Sequence, residues 1–296
     1  MARTAYFNGE WIDQGRLAIP VGDPGFALGV TVTERLRTFN GVVWRRAEHV
    51  ARLRRSCEIV GIPTAVAEEL DAAISEYAAR HPPESPPGQP PHDLAIVAFA
   101  TPGASDQPTR CVHGFPLPFK SWARQYDDGV ALRTSSHRQV PAECWPAELK
   151  CRSRMHYYLA DREAAAAEPG ARALLLDREG FVGEASTANV VLYNHREGIV
   201  SPRMEKVLPG VSVAVVRELA AAEGVAFTER DLTVAELAAA DEVWLASTSV
   251  CLLPVVRLDG RPIGAGKPGA AFGRFLAAWS RLVGLEIAEQ ARRCGD

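Results

Sequence analysis

Lysine is scarce in this chain. Of 33 basic residues only Lys120, Lys150, Lys206 and Lys267 are lysines, so arginine serves wherever a generic cation suffices. A lysine retained against that bias is suited to work that needs its amine, which can lose a proton and attack a carbonyl where a guanidinium cannot. Long apolar runs are missing too: no stretch approaches the roughly 20 apolar residues of a membrane helix. The opening MARTAYFNGEWIDQG lacks the basic segment and apolar run of a secretory leader, so a cytoplasmic protein with no membrane attachment is expected. The six cysteines, Cys57, Cys111, Cys144, Cys151, Cys251 and Cys294, form no C-x-x-C pair and have no histidine at zinc-ligand spacing. They read as reduced thiols, and no metal is expected. The formal net charge of −3, with both signs mixed along the chain, excludes a broad basic surface for a nucleic-acid backbone.

What is present describes an ordinary globular protein of 296 residues, more than one hydrophobic core usually spans, so two lobes of roughly 100 to 200 residues are expected. Alternating apolar and polar residues from Thr4 to Trp11 and from Gly29 to Trp44, around Asn8-Gly9 and Asn40-Gly41, predict two β-hairpins. Ala47 to Val60, with Val50, Leu53, Cys57 and Val60 at helical spacing, and Val66 to Ala79 predict two amphipathic helices. The proline-rich run from His81 to Pro91 predicts a surface loop before a strand from Leu94 to Ala100. Turn formers and prolines recur between Pro102 and Arg124. The division expected is therefore a small α/β lobe over residues 1–115, a connection over 116–126 and a larger lobe over 127–296. The larger lobe interleaves strands (Val130 to Thr134, Arg172 to Leu176, Asn189 to Tyr193, Glu242 to Ala246) with helices (Ser153 to Glu168, Val211 to Glu223, Ala270 to Val283). The fold class is α/β, with α+β character in the first lobe.

Five places carry chemistry. Lys150 lies in PAELKCRSRMHYYL, where an irregular approach ends and a helix is expected to begin; desolvation at such a junction lowers an amine's pKa toward the range that forms a Schiff base. Glu184 lies in GEASTANVVLY, a turn whose Ser186, Thr187 and Asn189 can fix a carboxylate. Pro209-Gly210 precedes a helix whose first amides, on Val211 and Ser212, can bind a phosphate. Ser247 and Thr248 end the strand VWLA and can donate to the same group. Arg52 borders the apolar stripe of its helix, where a guanidinium can reach a phosphate with two donors. Taken singly each has a plain alternative: a surface lysine, a turn glutamate, a glycine N-cap, a strand end, a structural arginine.

The order of these features resembles the class IV aminotransferases, the fold type IV pyridoxal-phosphate enzymes. The likeness covers nearly the whole chain: YFNGEWI, GDPGFALGVTVTERLRTFNGVVWRRAEHVARL with its D-x-G-x-x-x-G-x-x-x-x-E run and H-x-x-RL helix, E-A-S-T-A-N, LPGVS and DEVWLASTS. The resemblance implies pyridoxal 5'-phosphate in a cleft between two lobes, with Lys150 as the Schiff-base lysine and Glu184 as partner of the pyridine nitrogen. It makes Arg52, Val211, Ser212 and Thr248 the phosphate ligands, with Ser247 beside them, and it implies a homodimer acting on a small-molecule amino donor and a keto acceptor.

The reaction expected is transfer of an amino group between an amino acid and a 2-oxo acid. Relatives that take branched-chain amino acids often carry tyrosine five residues after the lysine, where this chain has Met155, with Tyr157 and Tyr158 displaced. Relatives acting on D-amino acids use an arginine at the end of the strand corresponding to Leu94 through Thr101, where this chain offers Thr101-Pro102-Gly103. The run K-x-x-S-R-M resembles that of aminodeoxychorismate lyases, which release pyruvate and 4-aminobenzoate, so the lyase is the alternative; a non-catalytic cofactor-binding relative is a second. Arg35 and Arg37, sharing a strand face at period two, and Arg154 are candidate carboxylate binders.

Overall fold

The computed structural model describes residues 3–84 and 87–295; Ser85 and Pro86 of the proline-rich loop lie outside the described residues. The chain divides into two compact units, Met1–Leu117 with Glu148–Ser153, and Pro118–Ala147 with Arg154–Asp296.

In the first unit β1 (Thr4–Phe7) and β2 (Glu10–Asp13) form one hairpin, and β3 (Val32–Phe39) and β4 (Val42–Val43) a second, with the one-turn helix α1 (Pro24–Ala27) between them. At both turns the Asn-Gly pair has positive φ at each residue, the left-handed geometry that suits a two-residue hairpin to strand twist. Helices α2 (Arg46–Val60) and α3 (Ala65–Arg80) follow, then β5 (Leu94–Thr101) and β6 (Thr109–Pro116). The six strands make an antiparallel sheet of order β2-β1-β6-β5-β3-β4. One face of its central strands, carrying Val32, Leu36, Ile96 and Val112, meets Leu53, Cys57, Leu70, Ile74 and Tyr77 of the two helices, as period-two alternation requires. Strand β6 lies within the stretch from Pro102 to Arg124 where turn formers recur. Its Gly114 is required by packing, because a Cβ there would lie 2.6 Å from the carbonyl of Ala95 and 2.7 Å from Tyr77 Oη.

The second unit opens with α4 (Phe119–Asp128), which takes up most of the stretch read as the lobe connection. Its Phe119, Trp122 and Tyr126 are buried at helical spacing, a stripe that the flanking prolines obscured. Then come β7 (Val130–Arg138), α5 (Met155–Ala167), β8 (Arg172–Leu176), β9 (Val182–Ala185), β10 (Ala188–Asn194), β11 (Gly198–Ser201) and α6 (Val211–Ala222). The chain finishes with β12 (Phe227–Glu229), α7 (Val234–Ala239), β13 (Glu242–Ser247), β14 (Cys251–Leu258), β15 (Arg261–Pro262), α8 (Ala270–Val283) and α9 (Ile287–Arg293). Strand β9 pairs with both β8 and β10, so β10, β13, β14, β7, β8 and β9 close into a ring, with β11 and β12 extending from β10. The pairs β7–β14, β7–β8 and β11–β12 are parallel and the others antiparallel. Among the described residues no helix is long and apolar enough to cross a membrane.

Candidate active site

Lys150 is placed by the first unit, though its number lies well beyond the first 117 residues. Residues 150–152 run beside the start of β3: Thr33 N donates to the Lys150 carbonyl (3.0 Å), Arg152 N donates to the Thr31 carbonyl (2.9 Å), and Cys151 pairs with Val32 in an isolated antiparallel bridge. Ser153 Oγ donates to the Gly29 carbonyl (2.7 Å), and the left-handed φ of Gly29 brings the two backbones close enough that a Cβ would reach to 2.9 Å of that hydroxyl. Lys150 N itself donates to Ser56 Oγ of α2 (3.2 Å). The half-buried lysine thus stands in an extended, strand-like segment. This corrects the expectation of a helix start, for the helix begins only at Met155.

Beside it lies a charge cluster that sequence reading missed. Glu34 sits on the helix-covered face of β3 between Val32 and Leu36, fully buried. Arg52 donates to it from Nε (2.7 Å) and Nη2 (2.9 Å), and His49 Nδ1 stands 2.7 Å from its second oxygen. Burial alone would raise the Glu34 pKa, but the Arg52 charge and the hydrogen bonds from Arg52 and His49 outweigh it and hold the carboxyl well below the usual range. Burial pushes the His49 pKa down, and with the Arg52 and Lys150 charges it outweighs the upward pull of Glu34, so a neutral imidazole donates Nδ1–H to the ionised carboxylate. Arg52 and Ser56 are one helical turn apart and Glu34 and Thr33 are neighbours, so Arg52 and Lys150 are anchored to the same two elements. The two-donor fork that sequence reading aimed at a phosphate is closed on Glu34. The signal that could have revealed Glu34 is the final glutamate of D-x-G-x-x-x-G-x-x-x-x-E. The first residue of that run, Asp23, is also buried and accepts from Thr101 Oγ1 (2.8 Å), Thr109 Oγ1 (2.7 Å) and Gly25 N (2.7 Å). Thr101 is thereby committed to the scaffold. Arg35 lies over the ring of Phe115, 4.8 Å from its centroid, and Arg37, fully buried, lies 4.1 Å from that of Phe39.

In the second unit the other candidates gather around Asn189. Glu184, on β9 and 6% exposed, accepts from Asn189 Nδ2 (2.8 Å), Tyr157 Oη (2.8 Å) and Gln139 Nε2 (3.4 Å). Donors converging on one buried carboxylate match its acceptor-only chemistry, and a protonated ring nitrogen would be one more of the same kind. Asn189, second residue of β10, pairs across the sheet with Glu184 on one side and Ala246 on the other, next to Ser247. Its Nδ2 also donates to the Leu208 carbonyl (2.9 Å), in the loop that leads to the N-terminus of α6. There Gly210 is the extended N-cap, Val211 is half-buried and Ser212 buried. Ser247 ends β13 and half-buried Thr248 starts the tight turn back to Cys251. Three segments remote in sequence, at 184, 208–212 and 246–248, are thus brought together, and each bears groups suited to a ring nitrogen or a phosphate. Arg154 is the N-cap residue of α5, half-buried at its start.

The sequence pattern of the amino-transferase class IV family matches residues 31–258, so the chain belongs to that family. It is 28% identical over 275 residues to a putative branched-chain-amino-acid aminotransferase of Methanocaldococcus jannaschii, covering 89% of this chain and 91% of that one. It is 27% identical over 272 residues to the D-alanine aminotransferase of Bacillus licheniformis, with the same two coverages, 89% and 91%. Among solved structures the T.th. branched-chain amino acid aminotransferase with pyridoxamine 5'-phosphate superposes with a TM-score of 0.85 at 27% identity, over 99% of this chain and 98% of that chain. The fold of the Escherichia coli branched-chain amino acid aminotransferase is the same, with a TM-score of 0.85 at 22% identity over 98% and 96% of the two chains. The protein is therefore an enzyme of the aminotransferase kind with the two-lobed fold type IV architecture.

Proposed function

We propose that this enzyme uses pyridoxal 5'-phosphate to move an amino group between an amino acid and a 2-oxo acid. The observation that carries the reading is the buried Glu184 with its converging donors, together with Lys150 on a backbone pinned by β3 and α2. When bound, the cofactor supplies an electron sink that stabilises negative charge on the substrate carbon. Glu184 would accept the proton-bearing ring nitrogen, because Asn189, Tyr157 and Gln139 already treat this carboxylate as an acceptor. The amides of Val211 and Ser212, at the N-terminus of a 12-residue helix, would take the phosphate with the hydroxyls of Ser247 and Thr248. Arg52 would add charge to the phosphate, with its fork oriented by Glu34. Lys150 Nζ would hold the cofactor's aldehyde carbon and, once displaced by the incoming amine, carry the proton to and from the substrate carbon. Arg35, Arg37 and Arg154 are candidates for the substrate carboxylate; Arg37 is the least accessible of them.

Transamination is favoured over the lyase reaction because the relatives described above are named as aminotransferases, of branched-chain and of D-alanine type at nearly equal identity. The test follows the visible spectrum of cofactor-loaded protein while L-amino acids, D-amino acids and simple amines are added one at a time. One donor class is expected to bleach the band, with a 2-oxo acid restoring it. A band unmoved by every donor, with pyruvate released from aminodeoxychorismate, would establish the lyase instead. Lys150→Ala and Glu184→Gln should each lower turnover by about 100-fold or more, the usual share of a positioned proton-transfer group or buried charge.

A further inference from the structure

Asn189 enters the chemistry just described only as a donor to Glu184, yet it touches both ends of the second unit's site. It is 6% exposed, and its amide nitrogen donates to Glu184 Oε1 at 2.8 Å and to the Leu208 carbonyl at 2.9 Å. Both amide hydrogens are thereby used, one on the carboxylate and one on the loop. The remaining oxygen faces Gly210: a Cβ at that position would collide with Asn189 Oδ1, so only glycine lets the N-cap of α6 approach so closely. The backbone of the same residue is in register with Glu184 on β9 and with Ala246 on β13. One rigid amide therefore spans the gap between the carboxylate and the helix start.

We propose that Asn189 is a positioning residue that sets the distance between the Glu184 carboxylate and the Gly210–Ser212 helix start, and so matches the site to a ligand bearing both a ring nitrogen and a phosphate. The inference rests on the pyridoxal-phosphate reading above. Such a ligand carries its phosphate on a short methylene ester arm from the same ring, so a site whose halves drift apart cannot satisfy both groups in full. Removing the amide frees both halves at once. Removing only the close approach at Gly210 frees one.

The experiment measures dissociation constants of pyridoxal 5'-phosphate and of pyridoxal, which lacks the phosphate, for the parent protein, Asn189→Ala and Gly210→Ala, with thermal unfolding as the control for folding. Asn189→Ala is expected to weaken pyridoxal about tenfold, the effect of withdrawing one donor from a buried carboxylate, and to weaken pyridoxal 5'-phosphate further, so that the preference for the phosphorylated form shrinks. Gly210→Ala, whose methyl would press on Asn189 Oδ1, is expected to lower the affinity for pyridoxal 5'-phosphate more than that for pyridoxal. Asn189→Ser, which keeps a hydroxyl donor but cannot span both partners, replaces the alanine variant if that one does not fold, with the same expectation. A folded Asn189 variant that binds both probes as the parent does, or loses affinity for both by the same factor, overturns the proposal. Failure of the underlying reading looks different: the parent protein itself would then develop no visible band with pyridoxal 5'-phosphate, and Lys150→Ala would make no difference to its binding.

Discussion

Glu34 is a carboxylate at 0% exposure in the apolar layer between β3 and α2, which is tenable only because Arg52 and His49 face it. Withdrawing the anion alone takes from the largely shielded Arg52 guanidinium, 10% exposed, the carboxylate it forks, a change that typically costs about 3–5 kcal/mol in a buried pair. Glu34→Gln should lower the free energy of unfolding by that order in a denaturant titration. Acid acts on the same cluster. The neutral His49 has a folded pKa below its ordinary value, so its contribution is complete above about pH 6.5 and is lost as pH falls below that. Glu34, also depressed, contributes fully above about pH 4.3 and loses that contribution on further acidification. Stability should therefore decline in two stages as pH drops from 7, the second stage being absent in Glu34→Gln. A curve flat from pH 7 to 4 in the parent would contradict the cluster's assigned charges. Sequence reading singled out Lys150 and Glu184 as candidates through their motifs but passed over Glu34 and the bridging part proposed for Asn189. What distinguishes those two is which face of a strand they occupy and what stands opposite, and neither is a local property of the chain.

At the scale of elements, periodicity served well where burial is one-sided. Helix α8 covers the expected residues 270–283 because its buried stripe is unbroken, whereas strand β8 matches the expected 172–176 as a short continuous apolar run buried on both faces. It failed where packing demanded residues that ordinarily signal turns. Gly114 in β6 looks like a turn former, yet it marks the spot where Tyr77 lies against the strand. Gly114→Ala should destabilise the first unit by about 1–3 kcal/mol, since the new methyl meets both the Ala95 carbonyl and Tyr77, and thermal unfolding would show it. A parent-like melting temperature would mean that Tyr77 can move aside. The α6 N-terminus was legible for the opposite reason: L-P-G-V-S ends a loop and starts a helix with local chemistry alone.

On the scale of the whole molecule, length and composition imply two lobes, but not that the chain would visit the first one twice. The return visit, residues 148–153, is made by pairing with residues 29–33 more than a hundred positions earlier, and no sequence pattern announces a partner so remote. Chain topology therefore forbids a clean division of labour between halves. A fragment of residues 1–117 would lack the strand that lies along β3, and a fragment of residues 118–296 would carry Lys150 with nothing to hold its backbone. Expressed separately, neither should capture pyridoxal 5'-phosphate in reducible linkage, whereas the two produced together should regain it; capture by the second fragment alone would show that the lysine needs no such anchoring. The same topology orders events during synthesis. The ring of strands in the second unit cannot close until β14, ending at Leu258, has left the ribosome to join β7 in parallel. The anchorage of Lys150, by contrast, can form as soon as residue 153 emerges, so the growing chain can hold the backbone of the proposed Schiff-base lysine in place long before the carboxylate and helix start of the second unit are assembled.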